Sequence, residues 1–331
     1  MPGRFIESSL AEQDLPFEVP LRPQSLSDFI GQASICDCLE VLIGAAKQRG
    51  EALGHCLFSG PPGLGKTTLA TILAKAMGTN LVVTSGPVIE KAGDLAGILT
   101  ALKTGDVLFI DEIHRLNRSV EEYLYQAMED FSLDLMIDNG PNARSIQVKL
   151  NPFTLAGATT RLGLLSEPLR TRFAFSCRLE YYDAETLVKV IQRTACILNV
   201  QIDEVSALEI ARRSRGTPRV ANHLLRWVRD FAQMRNQGRI DSVSVDRALR
   251  MLSIDERGLE EMDIKMLQVM VEHYQGGPVG INAIAAAVGE EPTTIEEVHE
   301  PYLIMLGFLK RTSRGRELTQ LAYNHLECMS K

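Results

Sequence analysis

Residues 60–67 read Gly-Pro-Pro-Gly-Leu-Gly-Lys-Thr, the Gly-x4-Gly-Lys-Thr pattern of a phosphate-binding loop. An apolar run at 56–58 precedes the loop, and a helix-compatible stretch at 68–77 follows it. The glycines let backbone N–H groups point into one cavity, and the helix N-terminus adds a positive dipole. We therefore expect Lys66 to neutralise phosphate oxygens and Thr67 to bind Mg2+. The alternative is a purely structural glycine-rich turn, which the Lys-Thr pair disfavours.

A second acidic element follows about forty residues after the loop. Residues 106–112 form an apolar run that ends in Asp111 and Glu112. Such a run is typical of a central parallel strand that is covered on both faces, and ligands gather where such strands end. We expect Asp111 to hold Mg2+ through water and Glu112 to polarise an attacking water. Together with Lys66 they would neutralise the charge of the γ-phosphate and orient the water that attacks it, as hydrolysis requires.

The region up to about Tyr182 alternates apolar runs with helical patterns, which predicts an α/β fold: a parallel sheet with helices on both faces. The predicted strands are 55–58, 81–84, 107–110, 153–158 and a last one within 169–180. The alternation stops at 133–150, where two extended runs flank Asp-Asn-Gly-Pro at 138–141. This predicts a β-hairpin, whose apolar face either docks a partner or packs on its own domain.

The C-terminal half lacks the alternation of apolar runs and helical patterns seen before Tyr182. Residues 183–254 are helical, with a break at Arg-Gly-Thr-Pro-Arg in 215–219. After residue 255 come three helices and two short strands around Ser-Arg-Gly at 313–315, a pattern typical of winged helices, which bind DNA or dock proteins. The predicted domains are a large P-loop domain at 1–182, a small helical lid at 183–254 and a winged-helix head at 255–331.

Bulk composition narrows the function classes. The chain has 331 residues and a net charge of −7, so it is not expected to coat nucleic acid by bulk charge. Two basic stretches without acids, at 211–229 and 308–316, are local exceptions. The sequence has no apolar run of about eighteen residues, so we expect no membrane span. The first residues do not resemble a secretory signal. Six scattered cysteines fit a reducing, cytoplasmic environment better than a disulfide framework or a zinc site.

Several segments together resemble one family, the RuvB family of bacterial AAA+ ATPases. They are Leu-Arg-Pro at 21–23, the loop at 60–67, Asp-Glu-Ile-His-Arg-Leu at 111–116, Gly-Ala-Thr-Thr-Arg at 157–161, Arg-Gly-Thr-Pro-Arg at 215–219, Gly-Pro-Val-Gly at 277–280 and Arg-Thr-Ser-Arg-Gly-Arg at 311–316. The resemblance covers nearly the whole chain. It implies an ATP-hydrolysing motor that moves Holliday junctions in recombination and repair, as a homo-hexameric ring with RuvA and RuvC.

The resemblance also implies residue roles for ATP and Mg2+. The implied nucleotide-binding residues are Leu21, Arg22, Gly63, Gly65, Lys66, Thr67, Thr68, Glu129, Asp130, Phe131, Arg172, Tyr182, Pro218 and Arg219. Among them, Arg219 would read the phosphates from the lid, and Thr159 would sense the γ-phosphate. Arg172 would be an arginine finger that completes a neighbour's site, with Arg170 as the alternative. Thr67 and Asp111 would bind Mg2+. Lys66 would bind the phosphates, and Glu112 would activate the attacking water.

For partners, the resemblance implies that the hairpin at Leu135–Val148 binds RuvA and that Arg311 and Arg316 contact the DNA backbone. Phosphate contacts carry no sequence information, which suits a motor that tolerates any sequence. Residues 290–292 read Glu-Glu-Pro, an acidic turn that puts a further DNA contact there in doubt.

Other functions compete with this reading. One is a clamp-loader-type AAA+ protein, although neither its Ser-Arg-Cys finger motif nor a collar domain is seen here. Another is a nucleotide-switched DNA-binding or initiator protein, whose recognition helix should read bases. The helix predicted at 293–305 instead offers Glu296, Glu297, His299 and Glu300, which are poor for duplex DNA. A small-molecule P-loop kinase would have no use for the acid pair or the C-terminal half.

Overall fold

The computed structural model describes residues 19–136 and 145–329. The described chain forms two compact units. The first, Arg22–Glu180, is the P-loop unit; the second joins residues 19–21 to the chain from Tyr181 onward, and we call it the C-terminal unit. No helix within the described ranges is long and apolar enough to cross a membrane.

A five-stranded parallel sheet organises the P-loop unit, as the alternating pattern predicted. Its strands are β1 (Cys56–Ser59), β2 (Leu81–Ser85), β3 (Val107–Asp111), β6 (Thr154–Thr159) and β7 (Phe175–Arg178), in the order β2-β3-β6-β1-β7. Helix α1 (Ala33–Arg49) precedes β1, and the connections between the strands contain α2 (Lys66–Met77), α3 (Ala92–Ala101), α4 (Arg118–Asp130) and α5 (Glu167–Thr171). Strands β1 and β6 are buried along their whole length, which explains why they read as continuous apolar runs.

The predicted hairpin is confirmed as an antiparallel pair. Strand β4 (Ser132–Met136) pairs with β5 (Ser145–Lys149), and Leu135 lies opposite Ile146. The predicted turn at 138–141 lies outside the described residues. Leu133 faces the core of the P-loop unit, whereas Ile146 is about half exposed, so the hairpin has both a packed side and an open one.

The lid part of the C-terminal unit consists of four helices: α6 (Ala184–Ile197), α7 (Glu204–Arg212), α8 (Pro218–Arg235) and α9 (Ser242–Met251). Each begins at a residue whose side chain accepts a hydrogen bond from the first turn, namely Asp183, Asp203, Thr217 and Asp241. The break read at 215–219 is thus the start of α8, with Thr217 as cap and Pro218 in the first turn.

The winged-helix part follows the predicted order, with two differences. Helices α10 (Glu261–Tyr274) and α11 (Ile281–Val288) precede a third helical segment made of α12 (Pro292–Thr294), a π-helical turn (Ile295–His299) and α13 (Glu300–Met305). Pro301 lacks an N–H and so interrupts the regular hydrogen bonding, which sequence periodicity did not reveal. Strands β8 (Leu309–Thr312) and β9 (Gly315–Leu318) form the wing, and a helix α14 (Gln320–Met329), which was not predicted, follows them.

His55 joins three elements at the end of the P-loop unit where β1 begins. The Leu155 N–H donates to His55 Nδ1 (2.9 Å), so the ring's N–H is at Nε2, which donates to the Met128 carbonyl (3.1 Å). Burial lowers the pKa of His55 below its ordinary value of 6.5, although the bond to Met128 opposes the shift.

A lowered folded-state pKa means that the unfolded chain binds the His55 proton more tightly. The stability from a neutral His55 is therefore complete above about pH 6.5 and is lost as pH falls below it. We expect the urea midpoint of the wild type to fall with acidification more steeply than that of His55→Asn. The matched control is His273→Asn, an exposed histidine in α10, which should retain the wild-type slope. Parallel slopes for wild type and His55→Asn would contradict this account.

Candidate active site and DNA-binding surface

The phosphate loop runs from the end of β1 to the start of α2, where the backbone needs glycine. Gly60, Gly63 and Gly65 have positive φ values of 134°, 79° and 103°. A Cβ on Gly60 would lie 2.5 Å from the Leu179 carbonyl oxygen, and one on Gly65 would lie 3.0 Å from the Phe29 ring. No larger residue fits at Gly60 or Gly65, so the conformation of the phosphate loop requires glycine at both positions.

Lys66 is the first residue of α2 and is buried within the loop. Its Nζ donates to the carbonyls of Gly60 (2.7 Å) and Pro61 (2.8 Å), which hold the charge inside the cradle. Thr67 and Thr68 follow in the first turn of α2, where their N–H groups have no earlier helical carbonyl to bind. The arrangement suits an anion with several oxygens.

The two acids lie where β3 ends, at the same edge of the sheet as the phosphate loop. Asp111 ends the strand, and its Oδ1 accepts the Glu112 N–H (2.9 Å). Burial raises the pKa of Glu112, but hydrogen bonds from His114 and Thr160 and the charge of Lys66 outweigh burial, so the pKa lies below its usual value. Glu112 is therefore a carboxylate at neutral pH, as a base for water must be.

Two residues that sequence reasoning did not assign to the site hold Glu112. The Thr160 hydroxyl donates to Glu112 Oε2 (3.0 Å), and His114 Nδ1 lies 3.1 Å from the same oxygen. The predicted sensor Thr159 is buried, and its hydroxyl lies 3.0 Å from His114 Nδ1. Of the adjacent threonines, the one that contacts the acid is thus Thr160. The signal was present, because Thr159 ends β6 beside β3 and Thr160 follows it, but the sequence alone does not show which of the two side chains faces Glu112.

Arg172 lies elsewhere in the P-loop unit. Its Nη2 binds Glu129 Oε2 (3.0 Å), its Nη1 donates to the Pro168 carbonyl (2.7 Å), and its guanidinium lies 4.9 Å from the centre of the Tyr125 ring. These contacts fix the direction of the side chain. Arg170, the alternative finger, is exposed.

Arg172 and the segment Glu129–Phe131 lie at the edge of the sheet opposite the phosphate loop. Phe131 packs against Phe153 and His55 (5.8 and 6.3 Å between ring centres), and His55 comes directly before β1. Arg172 comes before β7, whose first residue pairs with the first residue of β1. The phosphate loop begins after the other end of β1, about 13 Å away at 3.3 Å per residue. Within one subunit, Arg172, Glu129, Asp130 and Phe131 are not brought together with Lys66.

The predicted adenine residues divide between the two units. The C-terminal unit holds Leu21, whose carbonyl accepts from Arg193 of α6 (2.7 Å), and Tyr182, whose N–H donates to the Gly216 carbonyl (2.9 Å). Pro218 and Arg219 form the first turn of α8 in this unit. Arg22 begins the P-loop unit.

The wing presents arginines that carboxylates already bind. Glu300 is fully buried, and its two oxygens accept from Arg311 (2.7 and 2.8 Å) and from Arg316 (3.0 and 3.2 Å). Burial raises the pKa of Glu300, but the bonds from the two arginines outweigh burial and lower it. Lys310 pairs across the wing with Glu317 (2.8 Å). Both predicted DNA-contacting arginines therefore share one anion, and Arg311 remains half exposed.

Arg314 was not among the predicted DNA contacts. It lies in the turn between β8 and β9, where the Thr312 hydroxyl accepts its N–H (3.3 Å). The side chain is exposed, and in the described part of the chain it has no ion pair. The Ser-Arg-Gly turn was the available signal, because a residue at the tip of a wing points away from the domain.

A parallel sheet with a phosphate loop and an acid pair at one edge, a lid of four helices and a winged helix together define a P-loop ATPase of the AAA+ class. Family models match three consecutive segments of the chain: the Holliday junction DNA helicase RuvB P-loop domain (21–179), the RuvB AAA lid domain (182–255) and the RuvB C-terminal winged-helix domain (256–327).

Individual relatives agree with these matches. The Holliday junction branch migration complex subunit RuvB of Protochlamydia amoebophila is 77% identical over 326 residues, covering 98% of each chain. The corresponding subunit of Chlamydia felis is 58% identical and covers 96% of this chain and 95% of its own. The solved Holliday junction branch migration motor RuvB of Thermotoga maritima superimposes with a TM-score of 0.85 at 51% identity, covering 93% of this chain and 98% of its own. The chain belongs to the RuvB family.

Replacing Glu112 by Gln should abolish turnover while preserving nucleotide binding. The amide cannot take a proton from water, and a lost general base costs about 100- to 10,000-fold in rate. Phosphate release and the affinity for a fluorescent ATP analogue would be measured on the same preparations. The matched control is Glu122→Gln, an exposed acid of α4. Turnover within a fewfold of wild type in Glu112→Gln would remove Glu112 from the chemistry.

Proposed function

We propose that this protein is an ATP-driven motor that moves Holliday junctions along DNA, acting as a hexameric ring with RuvA and RuvC. The observation that carries the proposal is the match of nearly all of the chain between residues 21 and 327, in three consecutive segments, to RuvB domains. A clamp loader or a P-loop kinase would not need the winged helix. In the proposed reaction, ATP loses its γ-phosphate to water that Glu112 polarises.

The ATP site is proposed to be shared between neighbouring subunits. Arg172 and Lys66 lie at opposite edges of one sheet, so Arg172 serves a phosphate site best in an adjacent subunit. The bonds to Glu129 and Pro168 hold its side chain in one direction in advance, which reduces the entropy lost when it meets a γ-phosphate. A finger supplied in trans makes hydrolysis depend on assembly and contributes on the order of a thousandfold.

Mg2+ is proposed to bind through Thr67 and Asp111, because hydroxyl and carboxylate oxygens are ligands that this ion prefers. Thr160 is proposed to share γ-phosphate sensing with Thr159, because its hydroxyl binds the water-polarising acid. Leu21, Arg22, Tyr182 and Pro218 are proposed to surround the adenine, and Arg219 to read the phosphates from the lid.

The partners follow from two surfaces. The hairpin of β4 and β5 is proposed to bind RuvA through its open side, where Ile146 is exposed. The wing is proposed to hold DNA phosphates with Arg311 and Arg316, and we add Arg314 because it is exposed at the wing tip. Glu296 and Glu300, in the helical segment that would read bases in an initiator, instead bind the wing arginines. This supports backbone contact over base reading.

Mixed rings test the shared site. Lys66→Ala subunits lack the phosphate grip but retain the finger, and Arg172→Ala subunits retain the grip but lack the finger. In an equal mixture, roughly a quarter of the interfaces pair an intact grip with an intact finger. We expect each variant alone to be inactive and the mixture to recover up to that fraction of wild-type ATP turnover, measured with junction DNA and RuvA present.

Arg170→Ala is the control in this experiment, because Arg170 is two residues from Arg172 and exposed. It should be active alone. An inactive Arg170→Ala that rescues Lys66→Ala would transfer the finger role to Arg170. No recovery in any mixture of stable rings would exclude a site shared between subunits.

Salt dependence tests the wing. Removing one phosphate contact should lower the slope of log affinity against log salt by about one, without changing the preference among sequences. We expect this for Arg316→Ala and Arg314→Ala in binding to junction DNA, and no change for Arg250→Ala, an exposed arginine of the lid. Unchanged slopes in both wing variants would remove the wing from DNA binding.

A further inference from the structure

A buried ion pair connects the lid segment of the C-terminal unit to its winged helix. Arg215, in the lid, is 2% exposed, and Asp263, in α10 of the winged helix, is fully buried. Their closest atoms are Nη1 and Oδ2 at 3.2 Å and Nη2 and Oδ1 at 3.3 Å. Such a pair is costly to bury and contributes little net stability compared with apolar side chains of similar volume. Its value lies in the fixed geometry of a planar guanidinium facing a carboxylate.

More winged-helix groups converge on the same pair. His299 Nδ1 lies 2.7 Å from Asp263 Oδ1, and the Glu260 N–H donates to Asp263 Oδ2 (2.9 Å). The Arg215 guanidinium also lies 4.4 Å from the centre of the Tyr302 ring. His299 and Tyr302 both belong to the helical segment at 292–305, so one lid arginine contacts α10 and that segment together. This segment also carries Glu300, which binds both wing arginines.

The other side of Arg215 is the start of α8. Arg215 itself has a φ of 52°, which is uncommon for a residue other than glycine. Gly216 follows with a φ of 67°, and a Cβ there would lie 3.0 Å from the Tyr181 side chain. Thr217 then caps α8. Arg215 is thus only four residues from Arg219, and the turn between them is tightly fixed.

We propose that Arg215 is a positioning residue that makes the start of α8 and the winged helix move as one body. Close-packed interiors with fixed polar geometry move between discrete arrangements instead of deforming gradually. A displacement of Arg219 would then reach Glu300 and the wing arginines through Arg215, Asp263 and Tyr302. The role of this linkage in moving DNA rests on the proposed function, but the rigid connection itself does not.

The connection can be tested without DNA. The chain has an exposed thiol on each side of it, Cys196 at the end of α6 and Cys328 in α14. With Cys36, Cys38 and Cys177 replaced by Ser, spin labels on these two thiols report the distance between lid and winged helix. We expect one narrow distribution that is the same with ADP and with a non-hydrolysable ATP analogue. Arg215→Lys retains the charge but loses the planar fork, and it should broaden the distribution.

A second variant distinguishes the loss of the rigid connection from a failure to fold. Arg215→Met with Asp263→Asn removes both charges, and the amide oxygen of the asparagine can still accept the Glu260 N–H. It should melt near the wild-type temperature and still broaden the distribution. The control is Arg250→Lys, an exposed lid arginine. Folded variants that retain the narrow wild-type distribution would overturn the proposal.

A functional readout separates this inference from the motor proposal. In folded Arg215 variants, base pairs of branch migration per ATP should fall about two- to thirtyfold, the range for a residue that couples two sites. ATP turnover without DNA should be retained. If the wild type moves no junctions, the motor proposal fails while the distance measurement still decides on the rigid connection. If coupling per ATP is unchanged in variants with a broadened distribution, Arg215 does not transmit the motion.

Discussion

A parallel sheet has two unlike edges, and this polarity is the constraint on which the rest of the P-loop unit depends. All strands end at the edge where the phosphate loop, Asp111 and Glu112 lie, so backbone N–H groups and acids meet there. The opposite edge receives the end of α4 and the residues before β7. Arg172 and Glu129 are held at that edge. In the proposed shared site, the length of the strands separates Arg172 from the phosphate loop within one chain, and a neighbouring subunit would bring the two together.

Arginines held by carboxylates recur throughout the molecule. Glu129 holds Arg172, Glu300 holds both wing arginines, and Asp263 holds Arg215. The pairs differ in burial, and this difference separates their roles. Glu129 is exposed, so Arg172 can exchange it for a phosphate at little cost, whereas the buried pair of Arg215 and Asp263 cannot open without leaving an uncompensated charge. The former suits a ligand contact, and the latter a fixed joint.

Much of the fold followed from the sequence. Apolar runs predicted four of the parallel strands, the fifth was placed only within residues 169–180, and the Asp-Asn-Gly-Pro turn predicted the hairpin. The π-helical turn before Pro301 and the helix α14 were missed, because the first depends on local hydrogen-bond competition and the second has no distinctive pattern. At the site, the phosphate loop and acids followed from spacing. The contacts of Glu112 with Thr160 and His114 did not, because they depend on which side chains of two neighbouring strands face each other. The ion pairs of Arg215 and Glu300 could not be predicted from the sequence, because they join residues that are brought together only by the tertiary structure.

The claim that the ATP site is completed by a neighbour is tested most directly by dilution. Turnover per subunit would be measured across a range of protein concentrations, with assembly followed by light scattering and nucleotide binding followed on the same samples. The account predicts that turnover per subunit falls toward zero as rings dissociate, while single subunits still bind ATP. A constant rate per subunit in solutions where the chain is monomeric would contradict it.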